Sequence, residues 1–241
     1  MSKITIITPI YNHSEFIQKL YVKMINQTLE DWEWIVIDDG STDNIWEILN
    51  KWPKDNRITK IKRDHSGCCN TINYGLELAK YPYLSVIGAD DYPMLNFMQK
   101  FYDKITSKDF DVVVSNYIGY KHEFREVDLE KQKKGKRYQW ESFSPSYLLK
   151  TEVIKKLKFD PELENFSDLK LWIIFLTKGY KIGYIRECLF TNVRTGNSLT
   201  GRITPEVKQE KWNKFYAEFP EELCSKLKKI FIEDEIRGVY E

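Results

Sequence analysis

The chain has 241 residues, of which 42% are hydrophobic and 15% aromatic, so it can bury a sizeable core and is not globally disordered. Its 37 Lys and Arg residues against 36 Asp and Glu give a formal charge of +1, which argues against a dedicated nucleic-acid-binding protein. The four cysteines lack metal-finger spacing, and no stretch approaches the roughly 20 apolar residues that span a bilayer. With no segment of signal-peptide type at the N-terminus, we expect a cytoplasmic protein with reduced thiols.

The first part of the chain alternates between short apolar strands and amphipathic helices. Strands are predicted at residues 3–7, 34–37, 58–62 and 83–87, and a helical stretch follows each of the first three. Ser14 is expected to cap the first helix, and Ser41 or Thr42 the second. This alternation predicts a parallel α/β sheet with right-handed connections, the architecture of a nucleotide-binding half.

The remainder of the chain is less regular. Helices are predicted at 94–105, 151–157 and 167–178, and strands at 111–115, 181–185 and 189–193. The charged run at 126–138 is typical of a solvated loop, and the alternative is an active-site flap. We divide the chain into a core at 1–200, with a nucleotide-binding half at 1–91 and a second half at 92–200, and a C-terminal helical extension at 201–241.

Two amphipathic helices are expected in the extension, from Pro205 onward. Their apolar face contains Leu223, Leu227, Ile230 and Phe231. This face is expected to pack on the core or on a second subunit, which would make the protein a homo-oligomer. The alternative is that Lys226, Lys228 and Lys229 make a peripheral contact with a membrane that carries a lipid-linked acceptor.

Three polar clusters follow predicted strands: Thr8–Asn12, Asp38–Asp43 and Gly88–Asp91. Because the carboxyl ends of parallel strands lie along one edge of a sheet, we expect these clusters to converge on one crevice. In that crevice the Tyr11 ring could stack on a nucleobase, and Asp39 could accept a hydrogen bond from a base or a ribose.

Asp90 and Asp91 are adjacent carboxylates at the end of a strand. Their mutual repulsion would be relieved by a divalent cation, and Mg²⁺ and Mn²⁺ commonly bind a few carboxylates together with substrate phosphates. The two residues therefore predict a metal site, with a solvated turn as the alternative.

Three further polar residues stand at positions where a substrate could be contacted. Asp168 opens a predicted helix, whose N-terminus should keep the carboxylate ionised, and it is a candidate general base. Arg194 follows a predicted strand, where its guanidinium could clamp a diphosphate or simply lie at the surface. His65 lies in the turn after the third strand and could contact phosphate or ribose.

Over roughly residues 3–200 the chain resembles the inverting family 2 glycosyltransferases, which have the GT-A fold. The matching stretches occur in the order expected of that family: Thr8-Pro9-Ile10-Tyr11-Asn12, Asp38-Asp39-Gly40-Ser41-Thr42-Asp43, Asn73-Tyr74-Gly75-Leu76, Gly88-Ala89-Asp90-Asp91, Ser167-Asp168-Leu169-Lys170-Leu171-Trp172 and Arg194-Thr195-Gly196-Asn197-Ser198. The resemblance implies a Rossmann-like, mostly parallel sheet flanked by helices, with a C-terminal helical appendage.

The resemblance also implies a donor and a set of roles. The donor would be a nucleotide sugar, usually linked to UDP, used with Mn²⁺ or Mg²⁺, and the acceptor a saccharide or a lipid-linked saccharide. By analogy with the family, Pro9, Tyr11 and Asp39 would hold the base, Asp90 and Asp91 would serve the ribose and the metal, Asp168 would be the catalytic base, and Arg194 would lie near the diphosphate. Acceptor contacts are expected from residues 115–165, including Trp140, Phe143, Ser144 and Tyr147, although these aromatic residues could equally belong to the core.

Two departures from the family pattern leave an alternative open. Gly88 stands where the first acid of the family's Asp-X-Asp motif is often found, and Ser167 replaces the acid that commonly precedes the base. We therefore expect Asp91 as the metal ligand and Asp90 as the ribose contact, with the reverse assignment open. The rival function is a nucleotide-sugar-binding protein without transferase activity.

Overall fold

The structure is a computed structural model that describes residues 3–121, 136–138, 145–194 and 205–219. Within these residues, nine strands form one sheet flanked by helices. The strands are β1 (Ile4–Ile10), β2 (Trp32–Asp39), β3 (Ile58–Arg63), β4 (Tyr83–Val86), β5 (Tyr92–Pro93), β6 (Val112–Lys121), β7 (Lys136–Tyr138), β8 (Tyr147–Lys150) and β9 (Ile182–Arg194). The helices are α1 (Ser14–Ile25), α2 (Ile45–Lys51), α3 (Cys68–Leu78), α4 (Phe97–Ser107), α5 (Thr151–Leu157), α6 (Ser167–Thr177) and α7 (Pro205–Glu218), and a 3-10 turn covers Glu164–Phe166.

The strand order is β3-β2-β1-β4-β8-β6-β9-β5, and β7 pairs with β6. The first four strands in this order run parallel, so the α/β architecture predicted from the alternation of strands and helices is confirmed. β8 pairs antiparallel with both β4 and β6, and it thereby joins this parallel half to the parallel pair β6–β9.

β1 and β2 are buried on both faces because helices cover both sides of the sheet. Successive side chains of a strand point to opposite faces. Trp34 and Val36 join the apolar cluster that includes residues of α1, α2 and α4. Ile35 and Ile37 join the cluster on the other face, with residues of α3, α5 and α6. The uninterrupted apolar run in the sequence is what a covered parallel strand requires.

The second half contains one long strand, β9, where two were predicted. Pairing with β6 shifts register after Ile185 and resumes at Cys188. The intervening Arg186 and Glu187 are exposed and bulge out of the ladder. The prediction was wrong because these polar residues interrupt the apolar pattern without ending the strand pairing.

The predicted helix caps are also wrong, because one aspartate caps two helices. α1 begins at Ser14, whose backbone N–H donates to Asp43 Oδ2 at 2.9 Å. The other oxygen, Asp43 Oδ1, accepts from the N–H of Ile45, the first residue of α2, at 3.2 Å. Neither Ser41 nor Thr42 caps α2, whose N-cap position is residue 44.

The C-terminal helix α7 packs on the core. The Phe215 ring is fully buried, and its centroid lies 6.3 Å from that of Phe166. Lys211 Nζ lies 2.8 Å from Glu164 Oε2. α7 thus packs on the core, whereas the apolar face around Leu223 and the nearby lysines, for which the packing modes were predicted, lie outside the described residues.

We expect Phe215→Ala to lower the free energy of unfolding by about 3–5 kcal/mol, the usual cost of deleting a buried phenylalanine ring. Val207→Ala is the matched control, since Val207 lies in the same helix with 41% of its surface exposed, and it should change stability by no more than about 0.5 kcal/mol. Urea denaturation measures both. Equal, small effects would mean that α7 contributes nothing to the stability of the core.

Candidate active site

The carboxyl ends of β1, β2 and β4 lie side by side, because these strands are parallel neighbours. The loops that follow β1 and β2 are tied together by hydrogen bonds. The Asn12 N–H donates to Ser41 Oγ at 2.9 Å, and the Thr42 N–H donates to Asn12 Oδ1 at 2.8 Å. The polar clusters found in the sequence therefore share one rim of the sheet.

Pro9 is half-buried near the end of β1, in a central strand where proline is unusual. The Ile7 carbonyl bonds toward β4, so the nitrogen of residue 9 faces the same side. The Ile87 N–H donates to the Ile7 carbonyl, but a proline at residue 9 cannot donate in return, so the β1–β4 ladder ends at Val86 opposite Ile7. A proline can therefore stand at this point of the rim.

Tyr11 and His65, predicted independently from two loops, form one aromatic pair. Their ring centroids are 4.1 Å apart and the ring planes differ by 25°, so the rings are stacked. The His65 side chain is 53% exposed. The pair thus presents a flat surface of the kind on which a nucleobase can stack.

Asp39 is buried, and both carboxylate oxygens accept hydrogen bonds from the segment after β3. Oδ1 accepts from the Ser66 N–H at 2.9 Å, from Ser66 Oγ at 3.0 Å and from Thr71 Oγ1 at 2.7 Å. Oδ2 accepts from the Gly67 N–H at 3.0 Å and lies 2.9 Å from His65 Nδ1. The same Nδ1 is 3.0 Å from the Asp39 carbonyl, and because both neighbours are acceptors we assign the proton to Nδ1. Asp39 therefore holds the turn that carries His65.

Asp90 and Asp91 turn their carboxylates toward the same small space. A Cβ placed on Gly88 would lie 2.9 Å from Asp91 Oδ2 and 3.0 Å from Asp90 Oδ1. Burial raises the pKa of Asp91 well above its usual range, and the neighbouring Asp90 raises it further. Burial also raises the pKa of Asp90, against the opposing effect of nearby His13. Two crowded, poorly solvated carboxylates are a donor set that fits Mg²⁺ or Mn²⁺.

Asn192 is a residue of the site that sequence analysis did not select. Its Nδ2 donates to Asp91 Oδ1 at 2.8 Å, across 101 residues of chain. The signal that could have found it is the pairing of β5 with β9, and β5 has only two residues.

Asp168 is the second residue of α6, as predicted, and its Oδ1 accepts from the Leu169 N–H at 2.8 Å. The residue is reached by solvent, yet the protein around the carboxyl desolvates it and raises its pKa to about 6. Desolvation thus outweighs the stabilisation of the ionised form that the helix N-terminus was expected to provide. At neutral pH the carboxylate is still mainly ionised, with a pKa suited to a general base.

Tyr147 and Cys68 each have more than one of the site aspartates among their electrostatic neighbours. Burial raises the pKa of Tyr147 above its usual range, and Asp168 and Asp91 add to this rise. Burial likewise raises the pKa of the Cys68 thiol, and Asp39 and Asp168 are among the neighbours that add to it. Asp168 and Asp91 are therefore both within electrostatic range of Tyr147, and Asp39 and Asp168 are both within that of Cys68.

Some of the predicted contacts cannot be placed. The backbone of Arg194 ends β9, but its side chain is not among the described ones. Trp140, Phe143 and Ser144 lie outside the described residues, as does most of the charged run, of which residues 136–138 form β7.

Within the described ranges, no three or more His, Cys, Asp or Glu side chains are grouped so as to hold a metal ion. Nor does this part of the chain contain a helix with the length and apolar character needed to cross a membrane.

A sheet of this topology, with an aromatic pair, two crowded acids and a separate carboxylate at one edge, is typical of a glycosyltransferase with the GT-A fold. The chain belongs to Glycosyl transferase family 2, whose sequence profile matches residues 5–161. The GT-A fold and family membership expected from the resemblance are thus confirmed.

Known proteins that are similar to the chain support this assignment. It is 26% identical to Glycosyltransferase GlyG of Streptococcus pneumoniae serotype 4 over 217 residues, which cover 81% of this chain and 72% of GlyG. It is also 37% identical to WfaP of Escherichia coli, a UDP-Glc:alpha-D-GlcNAc-diphosphoundecaprenol beta-1,3-glucosyltransferase. That match extends over 93 residues, which cover 38% of this chain and 37% of WfaP. The structure of S. aureus TarS 1-349 in complex with UDP-GlcNAc matches with a TM-score of 0.68 and 15% identity, over 89% of this chain and 66% of that chain, and supports the fold alone.

We expect Asp39→Asn to lower the free energy of unfolding of the nucleotide-free protein by about 1–3 kcal/mol, because the amide turns an NH₂ group toward N–H and O–H donors. Asp64→Asn is the control: Asp64 lies in the same turn and is exposed, and its replacement should have little effect. Thermal and urea unfolding without ligand measure both variants. Identical stabilities would show that Asp39 does not hold this turn.

Proposed function

We propose that the chain transfers a sugar from a nucleotide-sugar donor, with UDP as the nucleotide, to a hydroxyl group of a saccharide or a lipid-linked saccharide. The transfer inverts the anomeric configuration and depends on Mn²⁺ or Mg²⁺. Family membership supports the reaction class, and the UDP-linked substrate in the name of WfaP supports the donor.

One observation carries the proposal: β2, β1 and β4 are parallel neighbours, so the loops that hold Asp39, Tyr11 and Asp91 leave the sheet at one rim. A transferase of this kind needs a base for the acceptor hydroxyl and a cation at the leaving diphosphate on opposite sides of the reacting carbon. The isolated carboxylate of Asp168 would serve as the base, and the crowded carboxylates of Asp90 and Asp91 would hold the cation. Tyr147, whose electrostatic neighbours include Asp168 and Asp91, would then lie between the donor sugar and the acceptor.

The nucleotide is assigned to the opposite part of the rim. The Tyr11 ring, stacked on His65, would support the base, with Pro9 beside it. Asp39 would contribute through the turn it holds, and a base or ribose donor that bonds to Asp39 directly would replace one of its present partners. Arg194 would lie near the diphosphate, since β9 pairs with the short strand that follows Asp91.

The reaction is a direct displacement. The acceptor hydroxyl transfers its proton to an oxygen of Asp168, and the acceptor oxygen forms a bond to the anomeric carbon. The bond from that carbon to the diphosphate oxygen breaks, and the electron pair leaves with the nucleoside diphosphate. A cation bound at Asp90 and Asp91 would stabilise the charge on the diphosphate.

The rival function is a nucleotide-sugar-binding protein without transferase activity, and the release of UDP separates the two. We expect the protein, with Mn²⁺ and a panel of UDP-sugars, to release UDP slowly even without an acceptor. We further expect Asp168→Asn to bind UDP as wild type does and to reduce transfer by a factor of roughly 10²–10⁴, the usual contribution of a general base.

Glu162→Gln is the control for this variant, because Glu162 is an exposed acid a few residues before Asp168. It should retain wild-type rates. UDP binding without turnover of any UDP-sugar would favour the rival function, whereas full activity of Asp168→Asn would remove Asp168 as the base.

The pH dependence provides an independent check. Because the pKa of Asp168 is about 6 and only the ionised carboxylate accepts a proton, kcat should fall by about tenfold per pH unit below pH 6. It should be level above that range. In Asp168→Asn the residual rate should lack this acidic limb. A wild-type profile that is flat between pH 5 and 7 would contradict the assignment.

A further inference from the structure

The side chain of Asn192 meets Asp91 where β5 pairs with β9. Tyr92 pairs with Thr191 in this antiparallel pair, so the next residues toward the rim, Asp91 and Asn192, face each other. The Asn192 amide donates to Asp91 Oδ1 at 2.8 Å. The fold thus brings the neutral amide of Asn192 to the carboxylate of Asp91, although the two residues are 101 positions apart in the sequence.

This hydrogen bond gives the two oxygens of the Asp91 carboxylate different surroundings. Oδ1 faces the amide of Asn192. Oδ2 lies on the side of Gly88, beside the point that Asp90 Oδ1 also approaches. A cation shared by the two acids would therefore meet Oδ2, and rotation of the Asp91 side chain would break the bond to Asn192.

A neutral donor suits this position for an electrostatic reason. Asp91 is buried and its carboxylate is crowded by that of Asp90, so two negative charges share a poorly solvated space. A lysine or arginine at residue 192 would support ionisation but would also bring a positive charge that repels a divalent cation. An amide supports the carboxylate and leaves its negative charge for the metal.

We propose that Asn192 is a positioning residue for the cation: it fixes the Asp91 carboxylate so that Oδ2 faces the cation position beside Asp90. The inference rests on the metal dependence in the proposed function. It assigns no contact between Asn192 and the reacting atoms, so its effect should appear in metal affinity rather than in the chemical step.

The test compares Asn192→Leu, which has a similar shape but no donor, with Asn116→Leu. Asn116 is the matched control because its amide also donates within the sheet, to the Arg186 carbonyl at 2.7 Å, but it lies opposite Cys188 rather than beside Asp91. Mn²⁺ binding to the nucleotide-free protein is measured from the electron paramagnetic resonance signal of free Mn²⁺. Asn192→Leu should raise the Kd for Mn²⁺ by about tenfold or more, the usual effect of removing a partner of a metal ligand.

Turnover provides the second measurement. In Asn192→Leu the KM for Mn²⁺ should rise in parallel, while kcat at saturating Mn²⁺ stays near that of wild type. Asn116→Leu should retain the wild-type Kd. If Asn192→Leu does not fold, Asn192→Thr, whose hydroxyl is too short to reach Asp91, replaces it with the same expected rise.

The outcomes distinguish this inference from the proposed function. Wild-type Mn²⁺ affinity in the Asn192 variants, or an equal loss in Asn116→Leu, overturns the positioning role and leaves the proposed function intact. If the wild-type protein binds no Mn²⁺ with or without UDP, the metal dependence fails, and the inference fails with it.

Discussion

Buried carboxylates at the carboxyl edge of the sheet are the constraint on which the site depends. Parallel strands bring Asp39 and Asp91 to this edge, where neither is well solvated. Asp39 is compensated within the chain, because five N–H or O–H groups surround its two oxygens. Asp91 is bonded by the Asn192 amide and by the backbone of Val193 and Gly88, yet burial and the neighbouring Asp90 keep its pKa raised. The first acid therefore builds the loop, and the second remains available for an external positive charge.

Local sequence patterns predicted the parts of the fold that depend on local periodicity. The run at 34–37 and the alternation around it gave the parallel half because a covered strand and an amphipathic helix each have a characteristic pattern. The capping of α1 and α2 did not follow from nearby serines, since Asp43 serves both helices from a loop. A capping residue that is distant in sequence leaves no local signal.

The same distinction applies to the site. Tyr11, Asp39 and the acids at residues 90 and 91 were found because they directly follow predicted strands. Asn192 was missed because its role depends on the register of a two-residue strand. The five donors around Asp39 were missed for a similar reason, since they come from the turn and the helix that follow the neighbouring strand. Polar side chains that follow predicted strands can be identified from the sequence. The residues that form hydrogen bonds with them cannot, because those bonds depend on tertiary contacts.

The proposed base depends on residues beyond the segment that defines the family. The family profile ends at residue 161, before Asp168. Lys170, two residues after the base, bridges Asp160 Oδ2 at 3.0 Å and Glu218 Oε2 of α7 at 2.7 Å. The start of α6 is thus held from both sides, by the preceding loop and by the C-terminal helix. The C-terminal extension is therefore part of the support of the base.

Gly88 stands where family members often have the first acid of the Asp-X-Asp motif, and its surroundings explain why a metal site is still compatible with glycine there. A Cβ at this position would lie 2.9 Å from Asp91 Oδ2 and 3.0 Å from Asp90 Oδ1, so at least one of the two carboxylates would have to shift. An aspartate there would force the two carboxylates apart and would add a third charge where burial already disfavours two. Glycine lowers the number of protein ligands but lets the remaining two approach one point. The open positions of a cation held in this way would be filled by water and by the oxygens of a diphosphate, which is how Mg²⁺ is commonly bound.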